Sequence, residues 1–196
     1  MQFMQRSSFL EYLKRNKKKH VIFDLDETLV TLKINWNFWI EDMVNLFKEY
    51  GITHNNSDFA TFENELIKKY GNDMRKKITE INYRHEKKYF SGFIKHTNIL
   101  EILNFVYEKA DLHLWTSNDK RTIMPVLQEL KIDNYFKTIV TRNDVEFIKP
   151  DHSGFKIINK SRSSLYEFIF IGDSSADKVA AFGAGIEFMH VSEFAD

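Results

Sequence analysis

Apolar positions along the chain follow two different patterns. Short runs rich in β-branched and aromatic residues indicate buried strands, and between them apolar residues recur at helical spacing. The strand-like runs occupy residues 21–23, 112–115, 135–140, 168–171 and 188–191. Because strands that alternate with helices pair in parallel, the sequence predicts an α/β fold: a Rossmann-like parallel sheet with helices on both faces.

Residues 35–96 interrupt this alternation, because helical spacing continues there with no obvious strand. One pattern runs from Trp36 to Gly51, a second follows the candidate N-cap Ser57, and a third extends over residues 74–89. We therefore expect a small α-helical bundle inserted into the α/β core, with no strand of its own.

Aromatic residues are concentrated in this inserted block. We expect most of them to form the bundle's own core, because apolar residues at helical spacing usually pack against neighbouring helices. An alternative stays open for the first helix, in which Trp36, Phe38 or Trp39 faces the strand ends and stacks on a substrate ring.

Two carboxylates, Asp24 and Asp26, directly follow the first strand. Asp is disfavoured in strands and costly to bury without a partner, so a purely structural role is a poor explanation. Carboxylates this close repel each other unless a cation or a shared proton relieves them. The pair indicates a divalent metal, a proton-transfer role or both, and capping of the next helix is the structural alternative.

The strand at residues 112–115 also ends in polar residues, Thr116, Ser117 and Asn118. Small hydroxyls and an amide at such a position are suited to binding an oxyanion. The same residue types are common helix N-caps, so the segment alone supports either interpretation.

Two more polar features lie downstream. The last long apolar run leads into the acids Asp173 and Asp177, and Lys149 stands between an apolar residue and Pro150. The carboxyl ends of parallel strands share one edge of the sheet, where folds of this class bind ligands. We therefore expect these groups to converge with Asp24 and with the polar end of the second strand.

Composition narrows the classes of function. The chain has 196 residues, 28 basic and 28 acidic, and a formal net charge of +0, so no global field favours nucleic acid or an anionic membrane. It contains no Cys, which excludes disulfides, thiolate zinc sites and a cysteine nucleophile. We find no apolar run long enough to span a bilayer and no secretory signal, and we expect a cytoplasmic protein. Its oligomeric state is not readable.

Four ordered segments resemble the motifs of the haloacid dehalogenase superfamily. They are DLDETLV from Asp24, the strand end at Thr116, the pair Lys149–Pro150, and GDSSAD from Gly172. The inserted block resembles the C1-type helical cap found in phosphoglycolate phosphatase-like members. The resemblance implies a haloacid dehalogenase-like core formed by residues 1–31 and 97–196, with a cap at residues 32–96.

The resemblance also implies roles for the acids. Asp24 would be the nucleophile that forms an aspartyl-phosphate, and Asp26 the general acid and then base. Mg²⁺ would be held by Asp24, by the backbone carbonyl of Asp26 and by Asp173. Asp177 would orient these ligands or, as in some members, bind the ion itself.

The remaining motif residues would bind the substrate's phosphoryl group. The resemblance gives this role to Thr116 and Lys149, which would also stabilise the charge in transfer, with Ser117 and Asn118 as neighbouring phosphate contacts. A one-residue slip would give the motif hydroxyl to Ser117 instead of Thr116. Many relatives have Gly where this chain has Ile148 before the lysine.

The implied activity is that of an enzyme, a Mg²⁺-dependent phosphatase acting on a phosphorylated small molecule. Alternatives are a sugar-phosphate mutase and a non-catalytic regulatory protein on the same scaffold. Mutases often carry Glu where this chain has Gly172, which favours a phosphatase. A nucleic acid is an unlikely partner, and the substrate itself is not readable from the sequence.

Overall fold

A computed structural model describes residues 4–52 and 59–194, and the candidate N-cap Ser57 lies outside them. In the described part, no helix has the length and apolar character to cross a membrane. The helices are α1 (Arg6–Arg15), α2 (Asn37–Glu49), α3 (Phe59–Tyr70), α4 (Asn72–Tyr89), α5 (Thr97–Val106), α6 (Lys120–Leu130), α7 (Ser153–Ile158) and α8 (Ser175–Ala184). The strands are β1 (His20–Phe23), β2 (Val30–Leu32), β3 (Phe93–Lys95), β4 (Asp111–Trp115), β5 (Phe136–Val140), β6 (Phe168–Gly172) and β7 (Glu187–His190).

Five of the strands form one parallel sheet in the order β5–β4–β1–β6–β7. The central strand is β1, in which Phe23 lies level with Leu114 of β4 and Ile171 of β6. Because all five strands run in the same direction, their carboxyl ends share one edge. The predicted α/β class and parallel sheet are confirmed.

Side chains of β1 point alternately into two cores, as successive strand residues must. Val21 and Phe23 pack with apolar residues of α1, α5 and α6, whereas Ile22 packs on the opposite face with α7 and α8. Helices therefore cover both faces of the sheet, as the sequence predicted, and its carboxyl edge is left open to polar side chains.

The helices α2, α3 and α4 form a helical insertion between β2 and β3. Its buried core includes Met43, Phe47, Leu66 and Ile78, so part of the aromatic and apolar stripe packs within the insertion itself. The expectation that this block contains no strand is wrong, because β3 pairs antiparallel with β2. Two of the three residues of β3 are exposed, so it has no apolar pattern that would reveal it.

A buried histidine lies in the middle of β4. His113 of β4 is 4 % exposed, and its Nδ1 has no hydrogen-bond partner among the residues that the structure describes. Burial, aided by the charge of His20, lowers the pKa of His113 to about 4. The folded protein therefore resists protonating a group that the unfolded chain protonates near pH 6.5.

This difference predicts an acid-sensitive fold. Stability that is fully present above pH 6.5 is lost as the pH falls toward the folded pKa of His113. Between pH 7 and about pH 4.5 we expect the free energy of unfolding to fall by about 2 kcal/mol more in the wild type than in His113→Gln, because the amide does not titrate. Urea unfolding at both pH values measures this, and equal losses in the two proteins would contradict the prediction.

Candidate functional site

Three acids meet at the carboxyl edge of the sheet. Asp24 follows β1, and Asp173 and Asp177 follow the neighbouring strand β6; one carboxylate oxygen from each lies within 4.8 Å of the others. The Asp24 amide donates to the Ile171 carbonyl at 2.9 Å, so the β1–β6 pairing continues up to the first acid. The parallel pairing expected from the sequence is therefore what brings these side chains together.

Lys149 connects this acid group to the next strand. Its Nζ donates to Asp24 Oδ1 at 2.7 Å, to Asp177 Oδ1 at 2.5 Å and to the Trp115 carbonyl at the end of β4 at 2.9 Å. Burial alone would lower the pKa of Lys149, but the charges of Asp177 and Asp24 together have the larger effect. The pKa of Lys149 is therefore raised. Lys149 is therefore a buried ammonium whose three bonds join the ends of β1 and β4 to the first turn of α8.

The acid group carries more negative charge than one lysine neutralises. Burial raises the pKa of Asp24; the Lys149 ammonium acts against this, and the charge of Asp177 acts with it. Burial and Asp177 likewise raise the pKa of Asp173. Converging carboxylates with raised pKa values favour a cation between them, and hard carboxylate oxygens are the donors that Mg²⁺ prefers. The donor set therefore fits a magnesium ion.

Asp177 is fixed from several sides. Its Oδ2 accepts from the Ser174 amide and hydroxyl at 3.1 and 2.7 Å, which caps α8, while its Oδ1 accepts from Lys149. Gly172 makes room for it, because a Cβ there would lie 2.6 Å from Asp177 Oδ2. With both oxygens already bonded, Asp177 is better placed to orient its neighbours than to bind a metal directly.

Asp26 lies apart from the three-acid group. Its Oδ1 accepts from the Leu32 amide at 2.7 Å, so β2 holds the side chain in place. Burial raises its pKa to about 6, and the neighbouring charges of Glu27 and Asp173 add to this. A carboxyl that titrates near neutral pH is suited to donating and accepting protons.

The polar segment after β4 does not cap the next helix. Asp119 takes that position by accepting from the Arg121 amide at 2.9 Å, so the N-cap alternative for residues 116–118 is wrong. Thr116 is buried; its Oγ1 donates to Asn118 Oδ1 at 2.7 Å and accepts from the Asn118 amide at 3.2 Å. These residues therefore form a closed polar turn beside Trp115, whose carbonyl binds Lys149.

The helical insertion is hydrogen-bonded to the loop that carries Lys149. The sequence did not predict this contact. Asn64 of α3 donates to the Ile148 carbonyl at 2.7 Å and accepts from the Ile148 amide at 3.0 Å. Arg75 of α4 donates to the Val145 carbonyl of the same loop at 2.9 Å. Ile148, the residue before Lys149, is thus fixed through its backbone by the insertion.

A cavity of about 310 Å³ lies between the insertion and the core. Its lining includes Trp36, the N-cap residue of α2, and Trp39 of α2, which agrees with the alternative proposed for these two aromatics. Ser117, Asn118 and Arg142 of the core also line it. Phe38 is not part of this lining and instead stacks on Tyr89, with ring centroids 4.9 Å apart.

The cavity also holds a buried ion pair that joins the two parts of the protein. Arg142 Nη1 donates to Glu63 Oε1 of α3 at 2.9 Å, and its Nε donates to the Ser117 carbonyl at 2.9 Å. The sequence did not predict three buried polar residues of the insertion, Glu63, Asn64 and Glu86. Acids and amides on an amphipathic helix normally indicate its solvent-exposed face. No pattern in the sequence distinguishes these buried residues.

Comparisons with known proteins found matches in both sequence and fold. The family described as haloacid dehalogenase-like hydrolase matches residues 21–191. A phosphoglycolate phosphatase of Pseudomonas fluorescens (strain Pf-5) is 29% identical over 94 residues, which are 47% of this chain and 35% of that protein. The chain thus matches only about a third of the length of this curated relative.

Solved structures share the fold at lower identity. A protein from Bacteroides fragilis described as a haloacid dehalogenase-like hydrolase superposes with a TM-score of 0.63 at 20% identity, covering 91% of this chain and 90% of that one. The hydrolase YfnB of Bacillus subtilis, solved bound to magnesium, has a TM-score of 0.51 at 18% identity, covering 87% of this chain and 85% of that one.

The contact between Asn64 and Ile148 predicts a specific sensitivity. In Asn64→Asp the carboxylate keeps the shape of the amide but does not donate to the Ile148 carbonyl, and it buries a charge. We expect the free energy of unfolding to fall by about 1–3 kcal/mol. Urea unfolding checks this, with the exposed Asn45→Asp of α2 as the matched control, expected within about 0.5 kcal/mol of the wild type. Similar small losses in both variants would show that Asn64 does not anchor the loop.

Proposed function

We propose that this chain, which belongs to the haloacid dehalogenase-like hydrolase family, is a Mg²⁺-dependent phosphatase that hydrolyses a small-molecule phosphomonoester. The observation that carries the proposal is the buried Lys149 ammonium bonded to both Asp24 and Asp177 at the edge of the sheet. This arrangement supplies an attacking carboxylate, a fixed positive charge and a carboxylate cluster suited to a cation. As the substrate we propose a phosphorylated small molecule.

The reaction that we propose has two displacements. Asp24 attacks phosphorus to form an aspartyl-phosphate, the ester P–O bond breaks, and Asp26 gives its proton to the departing alcohol. Asp26 then takes a proton from water, which attacks the aspartyl-phosphate, releases inorganic phosphate and restores Asp24. The raised pKa of Asp26 supports this use as acid and then base near neutral pH.

The phosphoryl oxygens need positive charge and hydrogen-bond donors. We assign this role to Lys149 and Thr116, with Ser117 and Asn118 next to them at the end of β4. Ser117 remains the alternative for the motif hydroxyl, since Thr116 Oγ1 is bonded within its own turn.

The magnesium assignment is also a proposal. Asp24, Asp173 and the Asp26 backbone carbonyl would hold the ion, with Asp177 orienting them, and the acid cluster together with magnesium-bound YfnB supports this. When bound, the ion neutralises the acids and allows the anionic Asp24 to approach an anionic phosphate.

Hydrolysis is favoured over phosphoryl return to the substrate. The mutase alternative is associated with Glu at the position of Gly172, but a Cβ there would lie 2.6 Å from Asp177 Oδ2, so a side chain has no room. The relatives named phosphoglycolate phosphatase also support a phosphoric monoester hydrolase. We further propose that residues 32–96 act as a cap over the site, and that the protein acts in the cytoplasm.

Hydrolysis of p-nitrophenyl phosphate tests this function directly. We expect phosphate release that needs Mg²⁺ and stops in excess chelator. Asp24→Asn should lose about a thousandfold or more of the activity while its unfolding curve remains cooperative, because the amide does not attack phosphorus. Asp73→Asn, at an exposed acid of α4, is the matched control and should keep the wild-type rate.

Two results would overturn the proposal. Activity that persists in Asp24→Asn would remove the assigned nucleophile. Phosphoryl transfer from a bisphosphate donor to a substrate hydroxyl, with no net release of phosphate, would establish the mutase alternative in its place.

A further inference from the structure

We propose that the cavity between the helical insertion and the core binds the leaving group of the substrate, and that this group carries an uncharged nitrogen-containing aromatic ring. Nucleoside 5′-monophosphates and pyridoxal 5′-phosphate are two sources of that chemistry. The proposal rests on the phosphatase function above, because it names the substrate class of the same site.

The cavity adjoins the residues assigned to the phosphoryl group. Its lining includes Ser117 and Asn118 at the end of β4, and Ile148, the residue before Lys149. A phosphate held at the sheet edge therefore has the cavity beside it. The volume of about 310 Å³ lies at the small end of ligand pockets, which fits a ring and a short linker rather than a long chain.

Aromatic side chains form one side of the cavity. Trp36 and Trp39 lie edge to face with ring centroids 5.9 Å apart, and Phe59 of α3 packs against Trp39 at 5.0 Å. Rings held at different angles offer both a face and an edge to a flat heterocycle. Stacking on such rings does not depend on which base is bound, because every base has a π-face.

Two buried polar atoms in the lining lack a partner. Trp39 Nε1 and Glu86 Oε2 make no hydrogen bond within residues 4–52 and 59–194, although the Thr122 hydroxyl lies near enough to Glu86 to lower its pKa. Burial has the larger effect and raises the pKa of Glu86 to about 7. Both side chains belong to the lining, and in our proposal a bound heterocycle with one acceptor and one N–H or O–H donor pairs with the indole N–H and with the carboxylate.

The charges of the lining disfavour an acidic leaving group. In the described part of the lining, Arg142 is the single basic side chain, and it already donates to Glu63 and to the Ser117 carbonyl. Glu86 adds a second acid. The carboxylate of a leaving group such as that of phosphoglycolate would lie near these acids without an unpaired basic side chain to neutralise it. A neutral ring would not be repelled by the acids.

Substrate profiling of the full chain with Mg²⁺ tests this assignment. The series is adenosine, cytidine and uridine 5′-monophosphates, pyridoxal 5′-phosphate, 2-phosphoglycolate and glycerol 1-phosphate. We expect the kcat/KM of at least one heteroaromatic ester to exceed those of 2-phosphoglycolate and glycerol 1-phosphate by about tenfold or more. The individual esters distinguish a nucleobase from a pyridine ring.

Variants of the lining localise the effect. Trp39→Phe keeps a ring but removes the N–H, and Glu86→Gln removes the carboxylate. The measured quantity is the kcat/KM of the best heteroaromatic ester divided by the kcat/KM of glycerol 1-phosphate. We expect this ratio to fall about tenfold in each variant. Phe38→Ala removes a neighbouring aromatic of α2 that is not part of the lining, and it should leave this ratio unchanged.

A binding measurement separates failure of this proposal from failure of the phosphatase function. Free adenosine, cytidine and pyridoxine, which have no phosphate, are titrated against the intrinsic tryptophan fluorescence of wild type and Trp36→Phe. Saturable quenching by at least one of them, reduced in the variant, supports the cavity assignment even if no ester is hydrolysed.

Two patterns would overturn the assignment. Hydrolysis of glycerol 1-phosphate or phosphoglycolate with no heteroaromatic preference would leave the phosphatase function standing and remove the ring-binding cavity. No quenching together with no hydrolysis of any ester would remove both.

Discussion

A buried ammonium between carboxylates organises the carboxyl edge of the sheet. Lys149 lies among Asp24, Asp177 and the Trp115 carbonyl, so the ends of β1 and β4 and the first turn of α8 meet at one side chain. Buried charges of this kind are costly unless each is paired and hydrogen-bonded. The parallel order of β4, β1 and β6, the Gly at position 172 and the cap of α8 all serve to keep these pairs in contact.

The same constraint links the helical insertion to the chemistry. The loop that carries Lys149 is held through Asn64 and Arg75 of the insertion, and the buried pair Glu63–Arg142 closes the cavity beside the polar end of β4. The residues of the cavity that we assign to the leaving group and the residues that hold the loop of Lys149 therefore belong to one network. A change in the insertion is expected to alter both specificity and rate.

The sequence predicted the sheet and the meeting of the acids, because parallel strands place their carboxyl ends on one edge whatever the loops do. It did not reveal Asn64 or Glu63, since a polar residue on an amphipathic helix looks solvent-exposed until its partner is known. It missed β3, whose residues are mostly exposed. It also left Trp36 and Phe38 undistinguished, because only the packed structure shows that Trp36, and not Phe38, lines the cavity.

The acids around Lys149 form, in our proposal, a site for a divalent cation. Isothermal titration calorimetry of Mg²⁺ into the wild type and Asp173→Asn, without substrate, tests this site. We expect saturable binding by the wild type that is lost or weakened at least about tenfold in the variant, because one carboxylate ligand is gone. Equal binding by the two proteins, or none by the wild type, would contradict it.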